Sequence, residues 1–527
     1  MTTYTYGGAD ATGATESRPL VTKKTIAMTG GATYTFRAAY DVFGALVKQI
    51  GPNDIGQTNT YDSRGRLSAM SYYWDVTGAS PLLHTWTRTY DAADRTIGEY
   101  DMSTIPQPTD YPTRWWRYDR AGRLDEIVDR SSGVCVIRQY SFDKQGNRTA
   151  LTTNAPQPDG NCWGAASTTT WTYDLSSRVR SVTKGGVTGS YGYDVLGRVT
   201  AIPGLDAASS GTRSIAYFDN DLPRTVVDTS FTLDPSMRRV QGTDGTVTHY
   251  GDGTDSPSWV VNAGTTTVYA SDIAGALTLQ YDTVGSTSTA YLLFGNPHGD
   301  TVTRTQLPAA AGTDASTVSG FAIYDEFGQT TGTTASTGAV TYGWLGAKQR
   351  QTTTPFILMG VRVYNPITGR FTSPDPVPGG NENAYNYPND PVNSFDLDGR
   401  LAFLIAIPIG EAKLIAAVAS ALLVAAYGAG TAIGTQVKHD SVWRNDAESD
   451  SSDEVSAGKK QYDERQAAKA ARKRQRQGGA GRLSGESAEH TSGARPSTRE
   501  TQQKGRTRVQ NHQRGGEKGD KRRPFRR

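Results

Sequence analysis

Tyr118-Asp119-Arg120-Ala121-Gly122-Arg123 reads as a strand end, a tight turn and a strand start, and two further stretches repeat it: Tyr61-Asp62-Ser63-Arg64-Gly65-Arg66 and Tyr193-Asp194-Val195-Leu196-Gly197-Arg198. Each position has a physical task. Tyr closes a strand and packs on a pleated face. Asp opens a turn, where its carboxylate accepts backbone N–H bonds. Gly takes the left-handed conformation required by a short hairpin loop with a bulge. Arg resumes the strand and can reach the Asp or stack on a neighbouring Tyr.

Weaker copies start at Tyr40, Tyr90, Phe142, Tyr173 and Tyr324. Successive starts between Tyr40 and Tyr193 leave room for two strands and a turn per unit, so the chain is a repeat array. Threonine-rich stretches such as Thr168-Thr169-Thr170-Trp171-Thr172 supply the strands between. Composition agrees: apolar residues make up 36% of 527 residues and Gly numbers 58, which favours short strands and tight turns over a helical globule. The repeated Asp and Tyr residues are read as turn and strand formers, with sugar binding by exposed aromatics as the other reading. The two cysteines, Cys135 and Cys162, are read as ordinary small buried residues in preference to a bridge, and no zinc-type spacing exists.

In these repeats and in the segment C-terminal to them, the sequence resembles the RHS/YD-repeat family over about residues 30–400. Tyr342-Gly343-Trp344-Leu345-Gly346-Ala347-Lys348-Gln349-Arg350 is similar to the stretch before that family's core domain. Similar to the core itself are Leu358-Met359-Gly360-Val361-Arg362-Val363-Tyr364-Asn365-Pro366, Gly369-Arg370-Phe371-Thr372-Ser373-Pro374-Asp375-Pro376, Asn386-Tyr387-Pro388-Asn389-Asp390-Pro391-Val392-Asn393 and Asp396-Leu397-Asp398-Gly399-Arg400. The resemblance implies a β-sheet wound into a hollow shell, a core that plugs it, and a variable C-terminal payload, often a toxin. Family shells are usually much longer than this chain, so it is expected to form part of a shell. The expected class is thus mainly β, with a helical apolar segment and a basic, partly disordered tail behind the sheet. The expected regions are 1–340 (repeats), 341–400 (core motif), 401–438 (apolar helical segment), 439–457 (acidic linker) and 458–527 (basic payload).

The core motif holds Asp375, Asp390, Asp396 and Asp398. Two carboxyls a few Å apart share a proton, so one can serve as base on a water while the other is acid, which permits peptide hydrolysis. Some family members are similar to aspartyl proteases and cut themselves just after this motif. Carried over, the cut falls between Arg400 and Leu401. Asp396 and Gly399 match the first and fourth positions of the family's Asp-Pro-x-Gly-Leu, whereas Leu397 replaces Pro and Arg400 replaces Leu. The competing reading is purely structural, since Asp-Pro and Asp-x-Asp-Gly form turns and caps.

At Leu401 the composition changes. Leu414 to Gly434 contains no charge and at ~1.5 Å per residue is long enough to cross ~30 Å of hydrocarbon. Three readings apply: membrane insertion that helps to deliver the tail, a buried helical hairpin, or a permanent anchor. Beyond an acidic, Ser-rich linker, Gly458 to Arg527 carries 21 Lys/Arg against 7 Asp/Glu, whereas the rest of the chain is net acidic. Lys459 to Gln477 can be helical, and Arg482 to Arg527 has too few aliphatics to bury a core alone. Its cations suit phosphates. His490, Arg499, Glu500 and His512 provide a base, an acid and a cation sufficient for metal-independent RNA cleavage. A disordered basic arm and a membrane-surface binder are the alternatives.

The sequence therefore reads as the C-terminal part of an RHS-repeat polymorphic toxin, with the repeats as scaffold and the tail as a nucleic-acid-directed toxin. The partners expected are nucleic acid for the tail, an acidic immunity protein, membrane contact through 401–434, and an unspecified secretion machinery; no cofactor or metal is called for. It is expected to be secreted or delivered to the cell surface, although the polar start shows no secretory signal. The other classes are an adhesive, carbohydrate-binding repeat protein and an inactive truncated fragment.

Overall fold

A computed structural model of the chain divides into two units, Met1–Thr431 and Ala432–Arg527. The structure describes residues 1–75, 82–103, 113–157, 162–308, 317–333, 342–353, 355–400 and 403–404, all in the first unit. The linker, the basic tail and nearly all of the apolar segment lie outside the described residues.

Every repeat read from the sequence is a hairpin turn, and its side chains lock each turn to the next. At Asp119, Oδ1 accepts the N–H of Ala121 (2.8 Å) and of Arg123 (3.0 Å), while Oδ2 accepts Arg123 Nε (2.7 Å). Asp62, Asp174 and Asp194 repeat the pattern with Arg66, Arg178 and Arg198. Counted from the Asp, the fourth position is left-handed throughout, with φ from 78° to 89° at Gly44, Gly65, Gly122, Gly146 and Gly197. The Arg then covers the aromatic of the following repeat: Arg66 over Tyr90, Arg95 over Tyr118, Arg123 over Phe142 and Arg198 over Tyr217. The residue after that Arg receives the hydroxyl of the same Tyr, as with Tyr90 to the Leu67 carbonyl (2.6 Å) and Tyr118 to that of Thr96 (2.7 Å). Tyr173 does the same to Arg148 (2.6 Å). These tyrosines spend both face and hydroxyl inside the array, which favours the structural reading over sugar binding. Each Asp–Arg pair is open to solvent and screened by it, so the ladder fixes register more than it supplies stability.

Each strand pairs with its neighbour in sequence. Fifteen strands from Thr2–Ala9 to Val187–Ser190 form one antiparallel sheet, and twelve from Gly192–Tyr193 to Thr301–Gln306 form a second. Sheets of this length must twist and curl. Here the beginning of the first sheet meets the end of the second. Ile26, Phe36, Ile55 and Leu83 share one buried cluster with Leu279, Tyr281, Leu292 and Phe294. Lys24 Nζ donates to Ser271 Oγ (2.9 Å), Gln49 Nε2 to Asp272 Oδ2 (3.0 Å) and Tyr72 Oη to the Gly295 carbonyl (3.1 Å). The sheets thus meet within this one chain, and side chains fill the space between them at this contact. Apolar side chains from both sheets are long enough to touch there.

Two further expectations change. Cys135 and Cys162 form a disulfide, with Cα atoms 4.8 Å apart. They flank the hairpin Val136–Phe142/Arg148–Asn154, whose pairing returns the chain beside its start. Closing a loop of 27 residues stabilises by about 3 kcal/mol. Second, Phe403–Leu404, the described part of the segment read as helix, is a strand paired with Ser394–Phe395, because it meets the backbone donors and acceptors left open by those residues. Among the described residues no helix is long and apolar enough to cross a membrane.

The segment from Tyr342 to Arg400, called the plug here, packs against both sheets. Its small sheet runs Gln351–Thr353, Phe356–Met359, Arg362–Asn365 and Arg370–Phe371. Trp344, Tyr364, Phe371 and Tyr387 pack as one aromatic cluster, each at most 2% exposed. Asparagines tie it to turns of the first sheet. Asn386 and Asn389 each donate to the Gly146 carbonyl (2.7 and 3.0 Å). Asn393 accepts the Thr96 N–H (2.8 Å) and donates to Tyr118 Oη (2.8 Å). The second sheet is held by Val199 N–H and Tyr217 Oη on the Thr372 carbonyl and by Tyr385 Oη on that of Gly197.

Candidate self-cleavage site

Arg362 stands in the middle of the plug sheet and points inward, with its side chain 1% exposed. A buried guanidinium needs acceptors. Two aspartates supply them: Nη2 lies 2.9 Å from Asp375 Oδ2 and 2.8 Å from Asp396 Oδ2. The cation also lies over the Phe371 ring, 3.6 Å from its centre, and Nη1 donates to the Ala384 carbonyl. Asn381 Nδ2 reaches the same two carboxylate oxygens, at 3.5 Å from Asp375 and 3.0 Å from Asp396. Two carboxylates 21 positions apart in sequence therefore converge on one guanidinium and one amide.

The backbone holds them there. Asp375 donates its N–H to the Ala384 carbonyl (2.7 Å) and accepts the Val377 N–H on Oδ1 (2.8 Å). Burial pushes the Asp375 carboxyl up, although Arg362 opposes the shift. Asp396 is fully buried, and its Oδ1 accepts the Arg400 N–H (2.8 Å). Asp398 Oδ1 accepts that same N–H at 3.1 Å. Burial, followed by the adjacent Asp396 charge, also pushes Asp398 up.

Three glycines let the loop carrying the predicted scissile bond approach so closely. A Cβ on Gly380 would overlap the Arg400 carbonyl oxygen and stand 2.9 Å from Asp375 Oδ2. A Cβ on Gly360 would overlap the Asp398 carbonyl, and one on Gly399 would meet the Met359 carbonyl oxygen at 2.7 Å. The Arg400 carbonyl oxygen and Asp375 Oδ2 thus both lie close to the same bare backbone position.

Of the four aspartates singled out in the sequence, Asp375 and Asp396 are brought together and Asp398 joins them through the Arg400 amide. Asp390 is placed elsewhere: it accepts the Asn393 amide and backbone N–H groups, and burial pushes it up to about 6. Sequence reasoning missed Arg362, Asn381 and Gly380. Arg362 lies inside a quoted stretch, and an arginine amid Leu358-Met359-Gly360-Val361 and Val363-Tyr364 was the available signal. Leu401, His490, Arg499, Glu500 and His512 lie outside the described residues.

These features define a class: a hairpin-repeat scaffold whose plug carries two pinned carboxylates beside its own exiting chain. No family model and no curated protein matches the sequence. Solved structures do. The crystal structure of TcdB2-TccC3 superposes with a TM-score of 0.54 at 14% identity, covering 76% of this chain and 22% of that one. The TcdB2-TccC3-Cdc42 complex gives 0.53 at 14% identity, over 76% and 21%. The Photorhabdus luminescens Tc holotoxin pore gives 0.51 at 14% identity, also over 76% and 21%. The fold is therefore of the RHS type, and the chain spans about a fifth of the length of these neighbours.

Proposed function

We propose that this chain is the scaffold-and-release end of an RHS-type toxin, which cuts itself between Arg400 and Leu401 to free a basic C-terminal payload. The observation that carries this reading is the pair Asp375 and Asp396, pinned by Arg362 against the Arg400 peptide unit. Asp375, raised by burial and facing the Arg400 carbonyl, is the acid. Asp396 is the base. A water oxygen adds to the Arg400 carbonyl carbon, its proton passes to Asp396, and Asp375 protonates the carbonyl oxygen. Asp396 then gives its proton to the Leu401 nitrogen as the C–N bond breaks, and Asp375 recovers its proton from the hydroxyl of the new carboxyl group. Incubating the purified chain is expected to yield a fragment whose N-terminal residue is Leu401. Asp375→Asn and Asp396→Asn each abolish it. A chain that stays intact, or a cut that persists in both variants, sinks the reading.

The released region carries the strong positive charge, which supports a phosphate-bearing target, RNA before DNA. In this reading His490 and His512 exchange protons, with Arg499 and Glu500 assisting, and an acidic immunity protein covers the tail in the producing cell. Delivery outside that cell rests on the fold shared with Tc toxin components. Expressing residues 440–527 in a bacterium is expected to arrest growth by at least about tenfold in colony count, and His490→Ala to relieve the arrest. Normal growth with the unmodified tail argues for a plain basic arm.

A further inference from the structure

The loop Asp396-Leu397-Asp398-Gly399-Arg400 places a third carboxyl at the cut, and it is not one of the two that Arg362 holds. The Arg400 amide hydrogen is shared between Asp396 Oδ1 at 2.8 Å and Asp398 Oδ1 at 3.1 Å. The Asp398 backbone is fixed in turn: its carbonyl accepts the Val361 N–H (3.1 Å) and packs on the bare face of Gly360, at φ +56°. Gly360 is itself held from the second sheet, since Arg239 Nη2 donates to its carbonyl (3.0 Å). At its other end Arg400 presents its carbonyl at Gly380, beside Asp375. Residue 400 is therefore gripped at its N–H by one carboxyl pair and placed at its C=O beside another carboxyl.

We propose that Asp398 is a positioning residue for self-cleavage: by sharing the Arg400 N–H with Asp396 it fixes residue 400, whose carbonyl is the one attacked, and sets a second carboxyl against Asp396. This rests on the cleavage reading above. The charges that face Asp398 are Asp396 and Arg400 on its own loop and Arg350 from the segment before the plug sheet. Behind Asp396 stand Arg362 on the sheet and Asp375 on the loop after it. Two neighbouring carboxylates oppose each other's ionisation. A charge on Asp398 therefore adds to the negative potential at this carboxyl pair, and Asp398→Asn removes it.

The test is the first-order rate of self-cleavage of the full chain from about pH 4 to 9, for wild type, Asp398→Asn and Asp398→Ala, with thermal melts as the folding control. Asp398→Asn keeps an oxygen acceptor for the Arg400 amide and removes the charge. Its acid limb is expected to move down by about one pH unit, with the alkaline limb, which reports the proton on Asp375, unmoved. Asp398→Ala loses the acceptor as well and is expected to cut about tenfold more slowly at the optimum. If wild type cuts and both variants match it, or if both slow evenly with no movement of the acid limb, the positioning role is overturned and the cleavage reading stands. If wild type yields no fragment beginning at Leu401 at any pH, both are overturned.

Discussion

Replacing Arg362 with leucine is expected to destabilise the plug by about 3–5 kcal/mol, because it strands two buried carboxylates together. The side chains concerned are almost wholly enclosed: Arg362 at 1%, Asp375 at 4% and Asp396 at 0% exposure. Their mutual attraction does not make this arrangement better than a well-packed apolar one; it makes it costly to break from one side. Arg362→Leu combined with Asp375→Asn and Asp396→Asn should therefore recover much of the loss, since the neutral amides no longer repel. Arg362→Lys keeps a charge but offers no planar fork to two acceptors, so it falls between. Guanidinium unfolding followed by tryptophan fluorescence reads this directly, as Trp344 lies within the plug's aromatic cluster. An Arg362→Leu midpoint equal to wild type would show that the ion triad does not fasten the plug.

Arg362 also marks where sequence reading stopped. The repeats were legible because their chemistry is local: Asp, a left-handed fourth position and Arg act within a single turn. The copy at Leu233-Asp234-Pro235-Ser236-Met237-Arg238 went unseen because Leu stands for Tyr and Met237 for Gly. Yet Asp234 Oδ1 accepts the Arg238 N–H and Oδ2 accepts Nε, both at 2.8 Å, and Met237 adopts φ +64°. The turn depends on the carboxylate and the backbone angle, and the aromatic can be dispensed with. The plug's polar residues were opaque for the opposite reason. Asn386, Asn389 and Asn393 lie in a quoted core stretch, but their partners are Gly146, Thr96 and Tyr118, more than two hundred residues away. The aspartates were visible as a group, whereas their division into a converging pair, a third member and Asp390 apart depends on where Arg362 and the Arg400 amide lie. The cysteines were misjudged on the same ground: a separation of 27 positions says nothing until the hairpin between them is known to fold back.

Gly380→Ala is expected to slow self-cleavage at least about a hundredfold. Gly380 does not occupy the left-handed region, so alanine meets no backbone strain there; what it meets is the Arg400 carbonyl oxygen, which its Cβ would overlap, and Asp375 Oδ2 at 2.9 Å. The exiting chain must retreat to admit a methyl group, and a displacement of about 1 Å at a reacting centre costs about two orders of magnitude in rate. The preceding residue provides the control. Gly379 is left-handed, at φ +81°, and an added Cβ there meets nothing within 4 Å. Gly379→Ala therefore strains the backbone by about 1 kcal/mol without touching the cut, and should cleave within a few fold of wild type. A Gly380→Ala chain that cuts at the wild-type rate would mean that the bond broken is not the one after Arg400.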